Sequence, residues 1–177
     1  GPALTVSTAC SSSAKVSAVA ERWLRLQLVD AVVVAGVDAL SDSLLYGFNA
    51  LGLLSNAPCR PFDAARAGIS LGEAAGFALL QRLEDAPTDA PCLRGWGEAN
   101  DAHHMSSPHP EGLGAERALT DALTRAGVSA HEIDYINLHG TASARNDEVE
   151  AALVARHFGA PTHASATKGV TGHTMGA

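Results

Sequence analysis

Nucleophilic and proton-transferring side chains stand in three separate motifs of this sequence. The first is Cys10, which follows an apolar run at residues 3–6 and precedes apolar residues at helical spacing. Cys10 is therefore predicted at a strand-to-helix junction, where unpaired backbone N–H groups and the positive end of the helix dipole favour a thiolate. A thiolate is the nucleophilic form of cysteine. The alternative interpretation is a small buried residue beside serines that cap the helix.

Two histidines provide the proton-handling groups. His139 lies directly after a predicted strand, where side chains at the end of a sheet face a crevice. His173 follows the glycine-containing run that starts at Lys168, and such a run allows close approach of a substrate. Either histidine alone is more often structural or a surface residue. Together with Cys10, each at the end of an element, they predict a Cys/His/His site.

The elements that must position these motifs alternate between strands and helices. Helices are predicted from Cys10 to about Leu28, over 115–126 with Gly127 as C-cap, and over 147–158, while residues 41–54 are helical or irregular. Strands are predicted at 31–36 (buried on both faces), 74–80, 93–99, 133–138 and 163–167. This alternation predicts an α/β sheet with helical cover. The Pro- and Asp-containing stretch 85–91 is the best linker, between halves at 1–84 and 92–177.

Composition excludes several classes of function. The 177 residues are 46% hydrophobic, and no apolar segment reaches the 18 residues of a membrane span. The net charge of −7 argues against general nucleic-acid binding. Three cysteines at unrelated spacings indicate a reducing compartment, hence the cytoplasm, since no secretion signal is visible. The three histidines at positions 103, 104 and 109 fit no common zinc pattern, so no metal is expected. Both ends read as internal, and we expect a fragment of a longer protein.

Several motifs resemble the β-ketoacyl-acyl-carrier-protein synthases of the type I/II kind, in order and approximate spacing. They are residues 6–12 (Val-Ser-Thr-Ala-Cys-Ser-Ser), 60–63 (Arg-Pro-Phe-Asp), 72–76, 101–108, 139–141 (His-Gly-Thr) and 168–173. The resemblance implies a thiolase-like layered α-β-α-β-α fold, here incomplete at both ends. It also implies a decarboxylative Claisen condensation in fatty-acid or related polyketide or aryl-polyene biosynthesis. Residues 68–72 depart from the common fatty-acid version, which hints at a specialised pathway.

The resemblance also implies roles for single residues. Cys10 would take an acyl chain from an acyl carrier protein as a thioester, and the carbanion from a decarboxylated malonyl thioester would attack it. His139 and His173 would stabilise the enolate by donating N–H bonds. Lys168 would hold a histidine in place, with Glu150 as its acidic partner.

Other positions carry weaker assignments. Asp147 and Glu150 also look like a capping box, and this alternative stays open. Thr141 and Ser143 match the hydroxyls that bind the phosphopantetheine arm, and Ser106 is a weaker candidate for that role. No cofactor is implied, because the arm arrives on the carrier protein.

The implied partners are an acyl carrier protein and a second ketosynthase-like subunit, in a homodimer or heterodimer. A local basic patch would bind the acidic carrier, with candidates Arg22, Arg25, Arg60 and Arg66. The family's glycine- and phenylalanine-rich C-terminal motif is absent, so this piece alone is expected to be inactive. Three alternatives stay open: a non-catalytic partner subunit, which usually lacks the cysteine, a thiolase acting on coenzyme A esters, and a ketosynthase domain of a modular polyketide synthase.

Overall fold

The computed structural model describes residues 1–159 and 161–177, which form two compact units. Unit 1 comprises Gly1–Leu40, Gly72–Leu93 and Thr174–Ala177, and it contains Cys10. Unit 2 comprises Ser41–Leu71 and Arg94–His173, and it contains both candidate histidines. The division into halves at residues 85–91, which the sequence predicts, differs from the division into these two units and stays a prediction.

Unit 1 is a helix on a two-stranded sheet. Helix α1 is Ser12–Arg25, strand β1 is Ala31–Asp38 and strand β2 is Ala74–Gln81, followed by a 3-10 turn at Leu83–Asp85. The strands pair antiparallel in continuous register from Ala31↔Gln81 to Asp38↔Ala74. The core lies under α1, where small side chains allow close packing on the sheet. Its buried members are Ala18, Ala20, Leu24 and Val34.

The opposite face of this sheet is open, which corrects the prediction of a strand buried on both faces. Alternate residues of β1 are exposed, and Val33, which is 70% exposed, lies opposite Leu79, which is 60% exposed. A Val-rich run without polar alternation is typical of a strand covered on both sides. Within the described residues, the covering layer is present on the α1 side only.

Unit 2 contains the remaining elements. They are α2 (Asp42–Ala50), α3 (Leu113–Ala126), β3 (Tyr135–Asn137), α4 (Ala144–His157), β4 (His163–Ser165) and α5 (Lys168–Thr171), with a 3-10 turn at Ala130–Glu132. Strands β3 and β4 pair in parallel, with Ile136 opposite Ala164. The predicted C-cap is confirmed, because Gly127 ends α3 in the left-handed conformation with φ +66°.

The segment 93–99, predicted as a strand, lies against a helix instead. Arg94 donates to the carbonyl of Ala126 at 3.3 Å, and the guanidinium of Arg125 lies 4.0 Å from the centroid of the Trp96 ring. A Cβ on Gly97 would overlap the carbonyl oxygen of Ala118 in α3. Glycine thus permits backbone-to-helix packing where the apolar pattern suggested a sheet partner.

Other boundaries shift by a few residues. Helix α1 ends at Arg25, before the predicted end at Leu28, and residues 3–6 form no strand. Helix α4 begins three residues before the predicted start at Asp147, and β3 and β4 are shorter than predicted. The mixed α/β class is confirmed, because helices and strands alternate along the chain.

Candidate active site

Cys10 lies on a tight turn immediately before α1. The preceding Ala9 has φ +53°, a left-handed conformation that is uncommon for a residue with a side chain. Ser12 braces this turn, since its hydroxyl accepts from the amide of Thr8 at 2.9 Å and donates to the carbonyl of Ala9 at 2.7 Å. The cysteine is partly buried and forms no disulfide. The junction with a helix is confirmed, although a turn rather than a strand leads into it.

Within unit 2, the two candidate histidines meet. The ring centroids of His139 and His173 are 5.4 Å apart, and the rings are almost perpendicular at 88°. His173 is 3% exposed, and its backbone N–H donates to the carbonyl of Ser70 at 2.7 Å. Part of the surface of His139 is exposed to solvent, and protein atoms lie close to the remainder of the residue. A reactant can therefore approach the pair from the side of His139.

Both imidazoles are neutral near pH 7. The pKa of His139 is lowered to about 4, mainly by burial and in addition by the Lys168 ammonium, while Asp147 acts in the opposite direction. Burial also lowers the pKa of His173 to about 4, with smaller contributions from His139 and Lys168. A neutral imidazole carries one N–H donor and one acceptor nitrogen. Each ring can therefore donate one hydrogen bond to an oxygen that gains negative charge.

The turn that carries His139 is fixed from α4 by Glu150. Its carboxylate accepts the backbone N–H of His139 at 2.5 Å and that of Gly140 at 2.8 Å. Asn146 adds a hydrogen bond to the same carboxylate at 3.4 Å. Glu150 thus orients the histidine through its backbone. Its predicted partnership with Lys168 stays a prediction.

Asp147 supports the same turn from the interior. This carboxylate is 1% exposed, accepts the N–H of Ala142 at 3.2 Å and accepts the N–H of Phe62 at 2.7 Å. The guanidinium of Arg66 lies 3.7 Å away. Asp147 therefore ties the histidine turn to the loop around Phe62.

The capping-box interpretation of Asp147 and Glu150 is wrong. Helix α4 has Ser143 as its N-cap, so Asp147 lies inside the helix rather than at its cap. Both carboxylates bond to the loop before α4, as described above. Their i, i+3 spacing, which places them on one helix face, was the available signal for this shared role.

The two hydroxyls assigned to pantetheine binding lie side by side at the start of α4. The side-chain oxygens of Thr141 and Ser143 are 3.0 Å apart, and Thr141 is buried. Ser106 lies in a different loop, where its amide donates to Nδ1 of His104 at 3.1 Å. Thr141 and Ser143 thus form one polar group, whereas Ser106 contacts His104 within its own loop.

The histidine-rich loop that raised the question of metal binding has its own internal contacts. The rings of His103 and His109 pack edge to face with centroids 4.9 Å apart. Nδ1 of His104 and Nδ1 of His109 each accept a backbone amide two residues further along. These two ring nitrogens therefore stabilise turns within the loop.

Sequence reasoning missed two residues that contact the histidine-bearing turns, Cys59 and Ser70. Cys59 is buried and donates to the backbone of Lys168, while the carbonyl of Ser70 accepts from His173. In the sequence, Cys59 is one of three cysteines at unrelated spacings, and Ser70 lies in the segment 68–72 that departs from the common fatty-acid version. In the described part of the chain, no helix is long and apolar enough to cross a membrane.

Domain models cover nearly the whole chain. Residues 1–86 match the domain described as "Beta-ketoacyl synthase, N-terminal domain". Residues 91–177 match "Beta-ketoacyl synthase, C-terminal domain". Residues 87–90, which lie between the two matches, belong to the Pro- and Asp-containing stretch 85–91.

Named proteins are similar along the full chain. A 3-oxoacyl-[acyl-carrier-protein] synthase 2 from Rhizobium meliloti (strain 1021) is 38% identical, over 100% of this chain and 45% of its own length. Nodulation protein E from Rhizobium leguminosarum bv. trifolii is 36% identical, over 100% of this chain and 46% of its own length. The ketosynthase solved in complex with its chain length factor from Xenorhabdus doucetiae is 47% identical with a TM-score of 0.93, over 100% of this chain and 43% of that chain. The chain spans somewhat under half the length of these relatives.

Proposed function

Because the chain belongs to the β-ketoacyl synthase family, we propose that it carries the catalytic residues of a 3-oxoacyl-acyl-carrier-protein synthase. The observation that supports this most directly is the pair of neutral imidazoles, His139 and His173, with ring centroids 5.4 Å apart. Two ring N–H donors, each on a turn that is fixed by a backbone hydrogen bond, can stabilise an oxygen that becomes negative during a reaction. The presence of Cys10 on a braced turn supplies the nucleophile that such an enzyme needs.

The proposed reaction begins with acyl transfer. The thiolate of Cys10 attacks the carbonyl carbon of an acyl thioester on the carrier protein, a new C–S bond forms, and the pantetheine thiolate leaves and takes up a proton. The acyl group is then held on Cys10 as a thioester.

Condensation follows with a malonyl thioester. Its carboxylate leaves as CO₂, and the electron pair of the broken C–C bond passes to the thioester oxygen as an enolate. His139 and His173 donate N–H bonds to that oxygen. The enolate carbon then attacks the Cys10 thioester, a C–C bond forms, and the Cys10 thiolate is released. Removing one such donor typically raises a barrier by about 2.7–4 kcal/mol.

The supporting residues act on the histidines and on the substrate arm. Burial keeps both imidazoles in their neutral, N–H-donating form, and the positive charge of Lys168 acts in the same direction, because a second positive charge close to it is unfavourable. Glu150 orients His139 through two backbone amides. The adjacent hydroxyls of Thr141 and Ser143 bind the amide groups of the phosphopantetheine arm, and Ser106 is a further contact to that arm.

The proposed partners follow from the relatives. One relative is named a 3-oxoacyl-[acyl-carrier-protein] synthase, and the ketosynthase from Xenorhabdus doucetiae was solved in complex with a chain length factor. We therefore propose an acyl carrier protein and a second ketosynthase-like subunit, identical or different, as partners. We propose the cytoplasm as the location on the separate ground that the three cysteines have unrelated spacings. The phosphopantetheine arm arrives on the carrier, so no resident cofactor is proposed.

Mass spectrometry of the protein as its gene encodes it tests the proposal. Incubation with an acyl carrier protein loaded with an acyl group should add that group to the peptide containing Cys10 and not to the Cys10→Ala variant. His139→Ala and His173→Ala should keep this acylation and lose about 10²–10³ in malonyl decarboxylation, as for other oxyanion donors. Acylation at another residue would overturn the assignment. No acylation at all would instead favour a non-catalytic partner subunit.

A further inference from the structure

Cys59 and Ser70 form a polar pair behind the proposed histidine site. Cys59 is 5% exposed, and its thiol donates to the carbonyl of Lys168 at 2.9 Å. Its backbone N–H donates to the side-chain oxygen of Ser70 at 2.9 Å. The Lys168 carbonyl also accepts the N–H of Gly172 at 3.0 Å, so one oxygen holds both the thiol and the end of α5.

Ser70 contacts the other end of the same turn. Its carbonyl accepts the backbone N–H of His173 at 2.7 Å, and the neighbouring Leu71 forms a bridge with His173. The Ser70 hydroxyl also donates to the carbonyl of Ala57 at 3.4 Å. Ser70 therefore binds His173 with its main chain and the Cys59 loop with its side chain.

The contacts of Cys59 and Ser70 hold two points of the same backbone turn, one at Lys168 and one at His173. Cys59 fixes the backbone at Lys168, Ser70 fixes it at His173, and the bond between Cys59 and Ser70 connects the two points. We propose that Cys59 and Ser70 are positioning residues, which set the separation of Lys168 and His173 for the decarboxylation step. This inference rests on the proposed function, and neither residue touches the reacting atoms.

The loop that follows Cys59 also reaches the turn of the other histidine. A Cβ on Gly169 would lie 3.5 Å from the ring of Pro61, and a Cβ on Gly140 would lie 3.2 Å from the ring of Phe62. The loop 59–62 is therefore packed against both histidine-bearing turns. A displacement at Cys59 can thus alter the placement of both N–H donors.

Loss of either side chain leaves a polar group without this partner. In Cys59→Ala the Lys168 carbonyl loses the thiol as a donor, and in Ser70→Ala the partly buried amide of Cys59 loses its acceptor. The site loosens in each case, and a displacement of about 1 Å from a remote change can cost about 10²-fold in rate. Acyl transfer to Cys10 does not use these donors, so the two half-reactions should respond differently.

The test compares half-reactions in the protein as its gene encodes it. Cys59→Ala and Ser70→Ala should lower kcat for malonyl decarboxylation by about 10- to 100-fold, with acyl transfer to Cys10 within about twofold. The double variant should lose less than the product of the two single effects, because the residues form one hydrogen-bonded unit. Cys59→Ser keeps a donor and should recover most of the rate. Cys92→Ala removes an exposed thiol and is the matched control.

Three results would overturn the inference. They are unchanged decarboxylation in both variants, equal losses in both half-reactions that follow a drop in Tm, or fully multiplicative effects in the double variant. If Cys59→Ala does not fold, Ser70→Ala is compared with Cys59→Ser instead. Slower decarboxylation in Ser70→Ala with most of the rate kept in Cys59→Ser supports the inference, and an unchanged rate in Ser70→Ala overturns it. A wild-type protein inactive in both half-reactions overturns the proposed function as well, whereas an active wild type with unaffected variants overturns the positioning role alone.

Discussion

Acidification from pH 7 to pH 5 should destabilise the fold through His173. Burial lowers the pKa of this imidazole to about 4 in the folded protein, from an ordinary value of 6.5, and the charges of His139 and Lys168 act in the same direction. At pH values between these two pKa values, the imidazole of His173 is protonated in the unfolded chain and neutral in the folded protein. Protonation therefore favours the unfolded state, and the stability that is present above pH 6.5 falls until the folded ring itself titrates near pH 4.

The size of the effect follows from the two pKa values. A shift of one pKa unit corresponds to about 1.4 kcal/mol, so the full separation is worth about 3 kcal/mol. At pH 5 about 2 kcal/mol of this has been lost relative to pH 7. That is a large share of the 5–15 kcal/mol typical of a folded domain. His139 has the same direction of shift but keeps exposed surface, so its contribution is smaller because solvent screens it.

Urea unfolding at pH 7, 6 and 5 measures this contribution. The His173→Gln variant serves as the reference, since glutamine has a similar volume and does not titrate. The wild type should lose about 2 kcal/mol more than the variant between pH 7 and pH 5. In a parallel NMR titration the ring signals of His173 should stay constant down to pH 5. Equal losses in the two proteins, or a ring that titrates near pH 6.5, would refute the reasoning.

Three further predictions concern packing, backbone support and accessibility. Gly97→Ala should destabilise by about 1–3 kcal/mol or more, because the new methyl overlaps a backbone oxygen of α3, whereas Gly127→Ala at an open left-handed cap should cost about 1 kcal/mol. Thermal unfolding compares the two, and equal shifts would contradict the overlap. Glu150→Gln should cost about 1.5–3 kcal/mol in urea unfolding, since two charge-assisted bonds weaken, and an unchanged midpoint would contradict this. Iodoacetamide should modify the exposed Cys92 well before the buried Cys59, as read by peptide mass spectrometry, and equal rates would show that the Cys59 loop opens.

Membership of the β-ketoacyl synthase family was readable from short motifs alone, and the match of both domain models confirms it. Such motifs are recognisable because each needs particular residue types at fixed spacing around a turn. The predicted thiolase-like fold agrees with the similarity to a solved ketosynthase at a TM-score of 0.93. Local signals also succeeded where the chemistry is local, as at Gly127, whose conformation needs no partner elsewhere in the chain.

The features that were predicted wrongly or missed from the sequence depend on contacts between segments that are distant along the chain. The apolar run at 93–99 packs on α3 and not in a sheet, because glycines at 95 and 97 let the backbone approach a helix. Asp147 and Glu150 accept backbone N–H groups of the loop before α4, and their spacing, which is compatible with both this role and a capping box, did not distinguish between the two. The roles of Cys59 and Ser70 depend on partners about a hundred residues away, so no local pattern announces them.

From its sequence alone, this protein's family, its mixed α/β class and the identity of its reactive side chains could be determined, since these depend on residue type and short-range spacing. The tertiary structure alone decided that His139 and His173 lie edge to face as neutral rings. An imidazole with the ordinary pKa of 6.5 is already mostly neutral at pH 7, and it stays neutral at clearly lower pH when surrounding protein replaces water and positive charge lies nearby. Both conditions arise from residues far apart along the chain, and only the folded chain brings them together.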